Sequence, residues 1–114
     1  MLQSVAKNLT AGTANTIFTV PDGYHAVVTM FFVANVGGST ASYTASVHKA
    51  GVTVPFQGNK SIGAGTYDVF GGNGLSITLH DTDHIVVTPA AGSTFTAFAT
   101  MDLIRNEKPP LYIE

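Results

Sequence analysis

The sequence predicts an all-β fold: an antiparallel two-sheet β-sandwich of jelly-roll or immunoglobulin-like type, with about eight strands. No segment shows apolar residues at helical spacing behind a capping signal. Short runs of Val, Ile, Thr, Phe and Tyr are instead punctuated by Gly, Pro, Asn and Asp. The stretch from Thr94 to Ile104 alternates cleanly, with Phe95, Ala97, Ala99, Met101 and Leu103 on one face and Thr94, Thr96, Thr100 and Asp102 mostly on the other. At 114 residues the chain forms one domain with a real core and little room beyond it.

Each element has a local reason. A first strand runs from Leu2 to Leu9 and a short second from Asn15 to Val20, closed by the turn Pro21-Asp22-Gly23. Proline presets that turn, aspartate bonds the local backbone, and glycine accepts positive φ. A long strand, Tyr24 to Val36, ends at Gly37-Gly38-Ser39, and a fourth covers Ser42 to Ala50. Gly51 turns the chain into Val52 to Phe56, where Pro55 marks an edge strand or a strand end. Gln57 to Gly65 reads as a polar loop, Thr66 to Phe70 as a strand, and Gly71 to Gly74 as a turn. Leu75 to Leu79 and His84 to Thr88 are expected to pair as a hairpin across His80–Asp83, before the final strand at Thr94 to Ile104. Residues 1–104 are thus expected to form the sandwich. Residues 105–114 (RNEKPPLYIE) form an extended arm, because Pro109-Pro110 forbids a helix and Leu111-Tyr112-Ile113 gives it an apolar end to dock.

The long strand is the informative one. On strict alternation Tyr24, Ala26, Val28, Met30, Phe32, Ala34 and Val36 share one face, and His25, Val27, Thr29, Phe31, Val33 and Asn35 the other. Both faces are apolar, whereas a small antiparallel domain has one core to cover one of them. The expectation is that Val27, Phe31 and Val33 lie in a seam between subunits, with Leu111, Tyr112 and Ile113 reaching a neighbour.

Composition fits either an occupied surface or simply a Thr-rich β-protein. Hydrophobic residues make up 45% of the chain but charged residues only 11%, well below the quarter usual in soluble domains. Little charge is left to keep copies apart. The net charge of −2, with no run of Lys or Arg, gives no footprint for nucleic acid. The absence of cysteine removes disulfides, thiol nucleophiles and thiolate metal sites. The longest apolar run is too short to cross a bilayer, and MLQSVAKNLTAG lacks the apolar stretch of a signal peptide, so folding in a cytoplasm without secretion is expected.

Candidate chemistry is sparse. His80-Asp81-Thr82-Asp83-His84 holds the right donor types for zinc, but alternation at a tight turn sends neighbours to opposite faces, and a calcium loop's glycine and distal Glu are missing. His25 and His48 have no partner carboxylate or nucleophile in sequence. There is no nucleophile elbow, and Gly71–Gly74 lacks the Lys-Ser/Thr of a phosphate loop. Catalytic residues, metal and cofactor are all expected to be none. Sugar binding would have to use Tyr24, Tyr43, Tyr67 and Asn73, which nothing groups together.

The succession N-L-T-A-G-T-A-N-T-I-F-T-V-P-D-G at Asn8–Gly23 resembles the opening of small bacteriophage virion proteins, in which a TVP-turn leads into a long strand ending near an asparagine, here Phe32-Val33-Ala34-Asn35. The strand at Thr44–Lys49, the Gly-x-Tyr strand at Gly65–Phe70, the L-x-x-x-D-x-I-x-V of Leu79–Val87 and the last strand T-F-T-A-F-A-T-M-D-L-I fit the same pattern, over residues 8 to 104. The resemblance implies a non-enzymatic virion component, above all a capsid decoration (cement) protein acting as a homotrimer on the major capsid protein. Alternatives are a tail, neck, baseplate or fibre-associated part, or a carbohydrate-binding host-attachment module. It carries over no functional residue.

Overall fold

The structure, a computed structural model, describes residues 1–71 and 77–106. These form nine strands: β1 Leu2–Asn8, β2 Asn15–Thr19, β3 Tyr24–Asn35, β4 Ala41–Lys49, β5 Val52–Ile62, β6 Tyr67–Gly71, β7 Ile77–Leu79, β8 His84–Pro89 and β9 Phe95–Arg105. No helix occurs among the described residues. The strands make two antiparallel sheets. A front sheet has the order β1-β9-β3-β6, with β7 also on β3, and a back sheet has the order β2-β8-β4-β5.

That order has a simple origin. The pairs β4–β5, β3–β6, β2–β8 and β1–β9 are those of one long hairpin, and successive pairs fall alternately in the two sheets. A long hairpin wrapped in this way is a jelly roll, the first of the two forms the sequence left open. Between the sheets lies the core. Phe31, Val33, Met101 and Phe95 come from the front, and Tyr43, Ala45, Ile85 and Val87 from the back, all nearly inaccessible to water.

Three details depart from the sequence expectation. The first is β5, which continues through the stretch read as a polar loop and pairs with β4 as far as Ala41↔Ile62. It does so as an irregular edge strand, with two register shifts and Asn59 at φ 42°. Polarity misled here because an outer edge strand needs backbone partners on one side only.

The second concerns β7 and β8, which are not a hairpin. β7 pairs with β3 in the front sheet and β8 with β2 and β4 in the back sheet, so the chain changes sheets at His80–Asp83. Asp83, only 4% exposed, fixes that corner. Its carboxylate accepts from the His80 N–H (2.9 Å), the Ala50 N–H (3.2 Å) and Lys49 Nζ (3.2 Å), and its carbonyl accepts from the Val20 N–H (3.0 Å). Burial raises its pKa. The two backbone hydrogen bonds and Lys49 outweigh that and hold the carboxyl below the usual range.

The third departure decides the face of β3. Opposite β9 the register shifts between Val28 and Met30, leaving Thr29 as an extra residue in a β-bulge. Thr29 turns its hydroxyl to the Thr100 carbonyl (3.3 Å). Alternation therefore changes phase: Ala26 and Val28 point into the core, and so do Phe31, Val33 and Asn35. Asn35 closes that end of the core, donating to the carbonyls of Ser39 (2.8 Å) and Ile62 (3.1 Å) and accepting from the Gly37 N–H (3.0 Å).

Candidate assembly interface

With the bulge in place, the outward side of the front sheet follows from the register. Directly opposed residues of an antiparallel pair share a face. Ala6 opposes Phe98, Phe98 opposes Phe32, and Phe32 opposes Val69, giving one apolar row across all four main strands. Beside it runs Asn8–Thr96–Ala34–Tyr67, and on the other side Ser4–Thr100–Met30–Gly71. The Phe32 ring stands 5.3 Å from that of Phe98 and 5.9 Å edge-on from that of Tyr67. Tyr67 is 64% exposed and Val69 49%, with Leu2 (74%) and Ile104 (36%) on the same side. A depression of about 360 Å³ between Phe98 and Phe32 is lined also by Ala6, Asn8 and Thr96.

The back sheet's outer face contrasts with this. Its rows read Thr19–His84–His48–Thr53 and Thr16–Val86–Ser46–Pro55. Hydroxyls and imidazoles are satisfied by water; phenyl rings are not. Among the described residues, phenylalanine and tyrosine rings cluster outward on the front face.

The expected seam residues divide accordingly. Val27 does point outward, opposite Asp102 and Thr78. Phe31 and Val33, at 1% and 0% exposure, belong to the monomer core, and Phe31 packs against Phe56 (6.0 Å) and Phe70 (5.9 Å). They cannot form a subunit seam, because the bulge at Thr29 rotates them inward. Leu111, Tyr112 and Ile113 lie outside the described residues. Strict alternation placed Met30 and Phe32 with Ala26 and Val28 and so missed them as outward residues. Phe98 had left a signal, since it interrupts the threonine face between Thr96 and Thr100.

The remaining candidates do not converge on chemistry. His80, Asp83 and His84 part ways at the corner: Asp83 turns in, His80 Nδ1 accepts from Lys49 Nζ (2.9 Å), and His84 stacks on His48. Among the described residues no group of three or more His, Asp or Glu comes together to hold an ion. At the opposite end of the sandwich, a cavity of about 470 Å³ is lined by Asn35, Gly37–Ser42 and Ala90–Thr94 and contains no titratable side chain. Of the tyrosines weighed for sugar binding, Tyr43 is buried, and its hydroxyl donates to Asp68 Oδ2 (2.7 Å) while Lys60 holds Oδ1 (3.1 Å). Burial first, then the hydrogen bond to Asp68 and its charge, push the Tyr43 pKa far above the ordinary tyrosine range. Asn73 lies outside the described residues.

No family model matches this sequence, and no curated protein matches it. Among solved structures the chain is similar to one from the Bacillus endospore appendages, described as a novel family of disulfide-linked pili. The match has a TM-score of 0.56 at 15% identity and covers 94% of this chain and 88% of that one. It is a likeness of fold.

Proposed function

We propose that this chain is a non-enzymatic structural subunit that associates with copies of itself through the outer face of the front sheet. The observation that carries this reading is the row Ala6–Phe98–Phe32–Val69 with Tyr67 beside it, an aromatic face in a chain whose other outer face is hydroxyl-rich. Four strands at ~4.8 Å and three residue rows at ~7 Å give this face a footprint of roughly 400 Å². Removal of its apolar share, roughly half, from water would contribute on the order of 5 kcal/mol gross, at the low end of the ~4–15 kcal/mol cost of association. A single contact of this size is weak, so the face suits a subunit repeated on a lattice or ring, where many contacts act together.

The finer form of the proposal is a bacteriophage virion component: a capsid decoration protein, working as a homotrimer on the major capsid protein. It rests on the sequence resemblance over residues 8–104. A second reading, a filament subunit, is favoured by the likeness in fold to an endospore-appendage protein. Having no cysteine, this chain would have to assemble in either case without disulfides.

Sedimentation velocity over a range of concentration, followed by electron microscopy, tests the proposal. Wild type is expected to form oligomers that Phe98→Asp abolishes while keeping its melting temperature. Closed rings favour decoration and open fibres the filament. A wild type that stays monomeric at high concentration, both alone and with capsid protein, overturns it.

A further inference from the structure

All four histidines of the chain lie at one end of the sandwich, and two of them are built as a pair. His48 on β4 and His84 on β8 are direct cross-strand partners on the outer face of the back sheet, with ring centroids 4.6 Å apart and planes 21° from parallel. Each ring is held from behind by Nδ1. His84 Nδ1 lies 3.3 Å from the Thr82 carbonyl, and His48 Nδ1 lies 3.0 Å from Thr53 Oγ1. A carbonyl only accepts, so neutral His84 carries its proton on Nδ1 and keeps the Nε2 lone pair free; His48 does the same in the tautomer whose Nδ1–H donates to Thr53 Oγ1. The flanking residues of the row, Thr19 and Thr53, bring no charge.

We infer that His48 and His84 form a two-imidazole site for a borderline divalent transition ion such as Zn²⁺, bound through both Nε2 atoms. Two imidazoles directly opposed on adjacent strands are the donor type such ions take. The rings stand stacked, so an ion that reaches both Nε2 atoms requires the two half-buried rings to turn about their Cβ–Cγ bonds and exchange their Nδ1 contacts for water, with water filling the remaining positions. Hard ions such as Mg²⁺ and Ca²⁺, which require oxygen ligands, are excluded. Sequence order had set His84 beside His80. The fold instead joins it to a residue 36 positions earlier, across the strand pair β4–β8.

The test is isothermal titration of the full-length, tag-free chain with ZnCl₂ at pH 7.5, repeated with MgCl₂ and with the variants His48→Gln, His84→Gln and His80→Gln. All variants are first checked for an unchanged melting temperature. The expected result is one Zn²⁺ per chain, no Mg²⁺ binding, at least a tenfold loss of affinity in His48→Gln and in His84→Gln, and retention in His80→Gln. In a parallel NMR titration the ring signals of His48 and His84 should shift together. Absence of saturable Zn²⁺ binding, or binding that survives His48→Gln or depends on His80, overturns the assignment.

Discussion

Two adjacent phenylalanines on β3 should behave in opposite ways. Phe31 is 1% exposed and sits between Phe56 and Phe70, while Phe32 projects from the other side of the strand between Phe98 and Tyr67. Truncating a buried phenylalanine leaves a cavity and costs about 3–5 kcal/mol. At roughly 4–8 °C per kcal/mol for a domain near this size, Phe31→Ala should lower the melting temperature by at least ~12 °C. Phe32→Ser removes an outward ring, so the melting temperature should fall by only a few degrees. If the front face is the contact between copies, the same change removes about 1.5–3 kcal/mol of burial per contact, weakening association roughly tenfold to a hundredfold. Thermal melts by circular dichroism and sedimentation velocity on the same preparations read both quantities. A Phe31→Ala protein as stable as wild type, or a Phe32→Ser protein that unfolds or associates unchanged, would refute the assignment of faces.

Other consequences can be checked on purified protein. Tyr43→Phe leaves Asp68 held by Lys60 alone and should cost about 1–2 kcal/mol at neutral pH in urea unfolding. Since the folded Tyr43 pKa lies above its unfolded value near 10, its contribution is present below that pH and is lost as the pH rises further. The variant should therefore lack part of the alkaline destabilisation of wild type, and identical alkaline limbs would contradict the buried Tyr43–Asp68 bond. Asp83 has a folded pKa below its unfolded value, so its contribution is present above about pH 4 and fades as the pH falls through the folded value. Asp83→Asn should accordingly be less stable than wild type at pH 7, with the gap narrowing in acid; a gap constant down to pH 2 would exclude this. Ala50 sits at φ 51° in the β4–β5 turn, where a Cβ is strained, and Ala50→Gly should raise stability by about 0.5–1 kcal/mol. A lower urea midpoint in that variant would count against the turn geometry.

Much of the fold was legible because the patterns were local. The alternation of Phe95 to Leu103 named a buried face that the structure reproduces residue for residue, and Pro21-Asp22-Gly23 marked its turn, with Gly23 at φ 82°. What was not legible depended on partners distant in sequence. Nothing at Thr29 itself announces a bulge, which exists only in register against Thr100 and Met101, yet it decides which of Phe31 and Phe32 faces water. The sheet change at His80–Asp83 was hidden in the same way. Asp83 looked like a turn former, while its buried contacts to Ala50 and Lys49 come from another turn. The inference that β3 is apolar on both sides survives with the two faces re-sorted, and so does its consequence: one apolar face is left outside the core.

Because the chain has no cysteine, a single reactive thiol can be placed at will. Tyr67→Cys puts a benzophenone label on the front face, and Thr88→Cys puts the same label on the back. On irradiation at micromolar concentration, the front-face label should capture a second copy, with crosslinks mapping by mass spectrometry to β1, β3, β6 or β9, while the back-face label captures none. Equal capture from both labels, or none from the front, would contradict assembly through the front sheet.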